Sequence, residues 1–176
     1  MKTSIALIGF MGTGKTAVGR ALAKKLGKEF IELDPLIERK AGKSIPRIFK
    51  EDGEIAFREL EITVTKETAG INNVVIACGG GVVLNKINID RLRKEAVIIH
   101  LTASLGVILK RTSNDTEERP VLKLANSTQA IRELWKFRKP FYERAADMTI
   151  STSRLSIDSV VEQIITRLKE HEDFSL

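Results

Sequence analysis

The chain contains 176 residues, 43% of them hydrophobic and 30% charged, a balance typical of one globular domain with a single core. No apolar run approaches the roughly 18 residues that a membrane-spanning helix needs, and the apolar start is too short for a signal peptide, so we expect a cytoplasmic protein without a membrane partner. The 29 Lys and Arg against 23 Asp and Glu give a net charge of +6, but these bases are interspersed with acids, which favours a small anionic ligand over nucleic acid.

Apolar segments alternate with helical patterns along the chain, which predicts an α/β fold with a parallel sheet. Five segments have the length and composition of strands: SIALIG, EFIEL, NVVIAC, AVIIHL and DMTIST. Their continuous apolar character is typical of strands that are buried on both sides. We therefore expect five parallel strands with helices on both faces, in one domain over residues 1–176.

Helical spacing of apolar residues places helices between these strands. The pattern predicts helices over about Lys15–Leu26, Ser104–Thr112 and Thr128–Ala145. A last amphipathic helix carries Val160, Val161, Ile164, Ile165 and Leu168, and the helix after Gly53 carries Ile55, Leu60 and Ile62 on one side. The segment SNDTEERPVLKLANS is polar and without a clear period, so it is the best candidate for a mobile loop.

The segment GFMGTGKT, Gly9–Thr16, matches G-x-x-x-x-G-K-[ST] directly after the first predicted strand, where it opens a predicted helix. In this context the backbone N–H groups of the loop and the helix N-terminus face a β-phosphate, and Gly12 and Gly14 keep the approach open. Lys15 is expected to bridge the β- and γ-phosphates, and the Thr16 hydroxyl to bind Mg²⁺. The motif therefore predicts ATP or GTP binding, through Gly12, Thr13, Gly14, Lys15, Thr16 and Ala17.

The single cysteine, Cys78, ends the third predicted strand, and we expect it to be a small buried hydrophobe in a reducing compartment. Three consecutive glycines, Gly79, Gly80 and Gly81, follow it. Glycine gives up more backbone freedom on folding than any other residue, so three in a row need a reason. They predict either a tight turn or a place where another group approaches the main chain closely.

Asp34 follows the second predicted strand, at the edge of the sheet where open α/β proteins bind their ligands. Its carboxylate could accept a hydrogen bond from a substrate hydroxyl and take the proton during phosphoryl transfer. The segment DPLIERKAG equally favours Asp34 as the N-cap of a helix that has Pro35 at its first position and Gly42 past its end. Both roles stay open, and they are compatible.

Three arginines are candidates for binding anions, although none of them is informative alone. Arg58 lies four residues after Glu54 and three before Glu61, so an intrahelical ion pair is its simplest interpretation. Arg138 could equally be a solvated base near a helix end. Arg119 lies within the predicted mobile loop, from which an arginine could fold onto phosphates as a lid closes.

Together, GFMGTGKT, FIELD, GEIAFRELE, CGGGVVL, ERPVL and RKPFYERAAD closely resemble the shikimate kinases in their order and spacing, over essentially the whole chain. The resemblance implies a three-layer P-loop kinase fold, with a substrate-binding segment at about residues 34–61 and a lid at about residues 112–124. It also implies a monomeric enzyme that uses ATP and Mg²⁺ to phosphorylate the 3-hydroxyl of shikimate, on the route to chorismate and the aromatic amino acids.

The resemblance implies a role for each candidate at the acceptor end. Asp34 would hold the reacting hydroxyl as base or orienter, and Arg58 and Arg138 would bind the shikimate carboxylate through planar guanidinium groups. Gly80 would present its backbone N–H to the substrate ring, with its two glycine neighbours leaving room for that ring. Close approach is thus the implied reason for three glycines, and not the tight turn alone.

At the nucleotide end, the resemblance assigns Arg119 to the lid, where it would cover the ATP phosphates. The segment STSRLS corresponds to an adenine contact, for which Arg154 is the expected residue and Leu155 the alternative. Arg111 would flank the adenine from the other side. The implied catalytic set is Asp34, Lys15 and Arg119.

One position departs from the family pattern. Shikimate kinases usually have an aspartate two positions before the catalytic aspartate, where it helps to hold magnesium through water, whereas this chain has Glu32 there. The longer carboxylate could still reach the water shell of the ion. We therefore expect Thr16 and Glu32 to form the metal site, with retained activity and an altered metal geometry.

Three other functions compete with this interpretation. A gluconate or nucleoside monophosphate kinase would share Gly9–Thr16 and the lid, but Arg58, Gly80 and Arg138 together argue against it. A non-catalytic ATP-binding regulator would be expected to lack the catalytic positions, which are all present. A nucleic-acid-stimulated ATPase would need a basic groove and a Walker B pair of acids, and the sequence suggests neither.

Overall fold

The computed structural model describes residues 1–113 and 128–176. Its strands are β1 (Ser4–Ile8), β2 (Glu29–Glu32), β3 (Val74–Ala77), β4 (Ala96–Thr102) and β5 (Met148–Ser151). Its helices are α1 (Lys15–Leu26), α2 (Leu33–Ala41), α3 (Ile45–Glu51), α4 (Gly53–Ala69), α5 (Lys86–Glu95), α6 (Leu105–Thr112), α7 (Thr128–Ala145) and α8 (Ile157–Lys169), with a short 3-10 helix at Val82–Leu84. The strands form one sheet in the order β2-β3-β1-β4-β5, and all neighbouring pairs run parallel, which confirms the predicted sheet.

β1 lies at the centre of the sheet, where Ala6 pairs with Ile76 on β3 and with Ile98 on β4. Successive side chains of a strand point to opposite faces, and each face carries its own apolar core. Ile5 and Leu7 belong to the core that α1 and α8 cover, whereas Ala6 belongs to the core that includes residues of α2, α4, α5 and α7. Helices therefore cover both faces, as predicted.

Most predicted helix bounds agree with the structure. α1 and α7 span the predicted residues, and α6 begins one residue later because Ser104 is its N-cap and accepts a hydrogen bond from the Val107 N–H. Gly27 ends α1 in the left-handed conformation, with φ 64°, which glycine adopts without a steric penalty. α8 buries all the apolar residues predicted for it.

The prediction that Asp34 is an N-cap is wrong. α2 begins at Leu33, so Glu32 is its N-cap and Asp34 lies within its first turn, while Gly42 ends the helix with φ 70° as predicted. Pro35 does not force a later start, because N–H groups in the first turn have no intrahelical partner and proline costs nothing there. Asp34 is thereby held on regular helix at the end of β2.

The prediction of which residues form the apolar side of α4 is also wrong in part. Ile55 is 79% exposed, and the buried side of the helix contains Phe57, Glu61 and Val64. These residues follow one another at intervals of four and three and so share one helix face. The charged Glu61 is tolerated there because it has an ion-pair partner.

The sequence patterns do not predict α3 and α5, which are short and carry few buried residues.

Several other predictions concern single segments. Cys78 is buried and has no disulfide, as expected for a small apolar side chain. The predicted lid and Arg119 lie outside the described residues, apart from the end of α6 and Ser113. Within residues 1–113 and 128–176, no helix combines the length and apolar character needed to cross a membrane.

Candidate active site

A cleft of about 930 Å³ lies where the central strands end. Parallel strands present their carboxyl ends at one edge of a sheet, and ligands of open α/β folds bind at that edge. This cleft is lined by the loop after β1, by the start of α2 after β2, and by Gly79 and Gly81 after β3. We call Gly79–Gly81 the glycine turn. The predicted site residues that line it are Gly12, Thr13, Gly14, Lys15, Thr16, Ala17, Glu32, Asp34, Arg58, Gly79, Gly81, Arg111 and Arg138.

The loop of the G-x-x-x-x-G-K-[ST] motif, Gly9–Thr16, is the Walker loop, and its own side chains hold it in place. Lys15 Nζ donates to the carbonyl oxygens of Gly9 at 2.8 Å and Phe10 at 3.0 Å, and the buried Thr13 hydroxyl also donates to Phe10 O at 2.8 Å. Gly12 has φ 76°, and a β-carbon there would lie 3.0 Å from the Thr112 methyl group. The loop thus curls around the ammonium group of Lys15, with the lysine at the opening of α1.

The two predicted metal-binding residues meet in the structure. The Thr16 hydroxyl on α1 donates to Glu32 Oε1 at 2.5 Å, although 16 positions separate them in the chain. Hydroxyl and carboxylate oxygens are the donors that Mg²⁺ prefers, usually together with waters and substrate phosphates. The donor set therefore fits this ion.

Arg58 makes the ion pairs that its spacing predicts. Its guanidinium lies 2.9 Å from Glu61 Oε1 and 3.4 Å from Glu54 Oε1, and its side chain is 14% exposed. It also lines the cleft, so these ion pairs are compatible with the anion-binding role that the resemblance implies for it. Glu61 is the main partner, because it is buried whereas Glu54 is exposed.

Glu61 also lines the cleft, although its spacing from Arg58 predicts only an ion pair. Its burial raises the pKa of its carboxyl group, and the positive charge of Arg58 opposes that rise. A carboxylate buried on the inner face of a helix needs such a partner, since an unpaired charge is very costly to bury. The sequence did contain a signal for this burial: Glu61 lies four residues after Phe57 and three before Val64, so it shares a helix face with two apolar residues.

The glycine turn makes room for the charged side chains of the site. A β-carbon on Gly79 would lie 2.9 Å from Asp34 Oδ1, and one on Gly81 would lie 2.3 Å from a guanidinium nitrogen of Arg58. A β-carbon on Gly80 would lie 3.4 Å from Arg138 Nη1. None of these three described glycines has a left-handed φ, so close approach, and not turn geometry, explains them.

Arg138 is not the solvated base that its place in the helix could suggest. It is 5% exposed and faces the cleft from α7. Its Nε is buried, and no acceptor for it is found within the described part of the chain. A buried guanidinium with a free donor at a cleft is suited to a planar anion such as a carboxylate.

The cleft also contains part of the predicted adenine site, next to the Walker loop. Arg111 donates to Gly12 O at 3.0 Å and to both oxygens of Thr152. Leu155 lines the cleft, and Arg154 is not among its lining residues. The Thr152 hydroxyl donates to Thr13 O at 2.9 Å, so it links the end of β5 to the Walker loop. Thr152 was missed, and its place at the end of the fifth predicted strand was its only signal.

A parallel sheet whose cleft combines a Walker loop, a carboxylate and the guanidinium groups of Arg58 and Arg138 defines a P-loop kinase of a small molecule. The model of the family described as shikimate kinase matches residues 11–169. The chain therefore belongs to the shikimate kinase family.

Individual relatives agree with this assignment over nearly the whole chain. The chain is 45% identical over 168 residues to a shikimate kinase from Pelotomaculum thermopropionicum, covering 96% of both chains. It is 48% identical over 162 residues to one from Caldanaerobacter subterraneus subsp. tengcongensis, covering 92% of this chain and 94% of the relative. A solved structure, a shikimate kinase from Acinetobacter baumannii in complex with shikimate, has a TM-score of 0.92 and 36% identity, covering 98% of this chain and 96% of that one.

Proposed function

We propose that the chain transfers the γ-phosphoryl group of ATP to the 3-hydroxyl of shikimate, giving shikimate 3-phosphate and ADP. The observation that carries this proposal is the convergence of Asp34, Arg58 and Arg138 on one glycine turn, in the cleft that also contains the Walker loop. Family membership supplies the acceptor, since related chains are shikimate kinases. The product serves the synthesis of chorismate and the aromatic amino acids.

Arg58 and Arg138 bind the carboxylate of the acceptor in this proposal. Both guanidinium groups face the cleft, and each has a buried Nε that no acceptor within the described residues occupies. A hydrogen bond to a charged group is worth about 1.5–3 kcal/mol. Two such groups would supply much of the roughly 4–8 kcal/mol that a dissociation constant between millimolar and micromolar requires. The Gly80 N–H completes the acceptor contacts.

Asp34 holds the reacting hydroxyl and takes or orients its proton. Phosphoryl transfer needs little covalent chemistry from the protein, so positioning and charge stabilisation account for most of the catalysis. Lys15 binds the β- and γ-phosphates, and Arg119 covers them from the predicted lid. Arg111 flanks the adenine, and on the other side Leu155 is favoured over Arg154 because it lines the cleft.

Thr16 and Glu32 hold Mg²⁺ in this proposal. When bound, the ion neutralises the charge that develops on the β- and γ-phosphates. The Thr16 hydroxyl, which donates to Glu32, could coordinate the ion through an oxygen lone pair and keep this hydrogen bond, which would then orient the ligand. Titrating Mg²⁺ and Mn²⁺ against rate in Glu32→Asp tests this role, and a metal dependence identical to that of the wild type would contradict it.

Identification of the product tests the proposal as a whole. The protein is incubated with ATP, Mg²⁺ and shikimate, and ³¹P–¹H correlation NMR identifies the phosphorylated carbon. We expect a single phosphate ester at position 3. Phosphorylation at another hydroxyl would refute the proposed placement of Asp34, and phosphorylation of gluconate in preference to shikimate would support the rival kinase. A monomeric state, one domain, a cytoplasmic location and the absence of a nucleic-acid partner stay predictions.

A further inference from the structure

Tyr142 connects α7 to the glycine turn from behind the cleft. Its side chain is 1% exposed, and its hydroxyl donates to the carbonyl oxygen of Gly80, which lies 62 positions earlier in the chain. A buried hydroxyl needs a hydrogen-bond partner, because burying it unpaired costs free energy. Here the partner is the carbonyl group of the central glycine of the turn.

The same hydroxyl also contacts Arg138. The two residues lie four positions apart on α7 and therefore on one helix face, and the nearby Arg138 guanidinium opposes the rise in the pKa of the phenol that burial causes. A β-carbon on Gly80 would lie 3.4 Å from Arg138 Nη1, so the guanidinium lies directly against the turn. One hydroxyl thus lies beside an arginine that lines the cleft and is bonded to the central glycine of the adjoining turn.

His100 on β4 supports the ring of Tyr142. The two ring centroids lie 5.1 Å apart with planes inclined by 21°, and His100 is 5% exposed. Burial lowers the pKa of His100 to about 4 and raises that of Tyr142 to about 12. Both rings are therefore neutral near pH 7, and the tyrosine keeps the proton that it donates to Gly80.

We infer that Tyr142 is a positioning residue of the acceptor site, which restrains the Arg138 guanidinium and, through its carbonyl group, Gly80, without touching the acceptor. This inference rests on the proposed function, because it takes Arg138 and Gly80 to bind shikimate. It gives a role to the tyrosine of the RKPFYERAAD segment, which the proposed function leaves without one.

Tyr142→Phe isolates the hydroxyl, because phenylalanine keeps the ring packed against His100. Loss of a neutral hydrogen bond costs about three- to tenfold in an equilibrium constant. We therefore expect the KM for shikimate to rise about three- to tenfold, while the KM for ATP stays within about twofold of the wild type. Steady-state kinetics with each substrate varied in turn measure both constants.

Thr68→Val is a matched control, because it removes another buried hydroxyl that donates to a backbone carbonyl, that of Val64 on α4. Thr68 does not line the cleft. We expect thermal unfolding to shift to lower temperature in both variants, with both KM values unchanged in Thr68→Val. Only a specific positioning role predicts a change in the shikimate KM alone.

Two results would overturn the inference, and they are distinguishable. If Tyr142→Phe leaves the shikimate KM unchanged, or raises both KM values together, the hydroxyl is merely structural. Arg138→Lys is measured in parallel and should raise the shikimate KM, because lysine lacks the planar fork. If it does not, the proposed role of Arg138 fails, and the inference about Tyr142 fails with it.

Discussion

The Asp34 carboxylate lies where a side chain on Gly79 would begin: its Oδ1 is 2.9 Å from the position of a β-carbon on that glycine. Real β-carbons essentially never approach an atom so closely, and Glu61 Oε2 would be only 3.3 Å away. The proposed base therefore depends on the absence of a side chain at residue 79. This relationship also explains why the chain tolerates the entropic cost of glycine at this position.

Gly79→Ala should displace the Asp34 carboxylate and lower kcat at least about tenfold, since small misplacements of a catalytic group are costly. Gly106→Ala on α6 is the control, because nothing lies within 4 Å of the added β-carbon. We expect that control to keep wild-type kinetics. Wild-type kcat in Gly79→Ala would show that the position of Asp34 does not matter for turnover.

Asp34→Asn should reduce turnover by about a hundredfold or more if Asp34 acts as the base, while ATP binding stays nearly intact. Equilibrium titration with an ATP analogue separates the two effects. Asp90→Asn is the control, because Asp90 pairs with Lys86 on the exposed side of α5. Near-normal turnover in Asp34→Asn would refute the proposed role.

Arg58→Lys should raise the KM for shikimate, because lysine keeps the charge but loses the planar guanidinium that can bind a carboxylate through two bonds. We expect an increase of about tenfold, which corresponds to one weakened charge-assisted hydrogen bond. Arg47→Lys on α3 is the control, since Arg47 makes a comparable pair with Glu51 at an exposed site. An unchanged shikimate KM in Arg58→Lys would leave only the ion pair with Glu61 as its function.

His100 should make the fold sensitive to acid. Its pKa is lowered from 6.5 to about 4 by burial, so between these pH values the unfolded chain binds a proton that the native protein excludes. Stability is therefore lost as pH falls through this window, by about 3 kcal/mol at about 1.4 kcal/mol for each unit of pKa.

Urea unfolding at pH 7 and pH 4 measures this loss. His100→Phe keeps an aromatic ring against Tyr142 and cannot be protonated, so its free energy of unfolding should fall less between the two pH values. The comparison uses the change with pH in each protein, so a constant difference in stability does not affect it. Equal changes in the two proteins would contradict the prediction.

The sequence predicts the sheet and most helix bounds because they follow from local patterns. The alternation of apolar strands and helical segments fixes the topology class, and the Walker motif identifies its own loop because the chemistry is contained in eight consecutive residues. The start of α2 is not predictable in this way, since Asp34 and Pro35 suit either of two registers of the first turn. The exposure of Ile55 depends on which side of α4 faces the sheet, which is a tertiary property.

Residues that act through long-range contacts are the ones that sequence patterns miss. Tyr142 and Gly80 lie 62 positions apart, and Thr152 and Thr13 lie 139 apart. No local period connects such pairs. Arg138 is the clearest case. Its place near a helix end is compatible with a solvated side chain, whereas packing of α7 against the glycine turn buries it at the cleft.

Shikimate-dependent release of ADP tests the central claim most directly. The wild-type protein is assayed with Mg²⁺ and ATP in the presence of shikimate, without an acceptor, and with gluconate, and Lys15→Ala is assayed under the same conditions. We predict turnover that requires shikimate, is absent with gluconate and is lost in Lys15→Ala. No shikimate-dependent turnover in a protein that still binds ATP would contradict the assignment of the acceptor and leave only the nucleotide site supported.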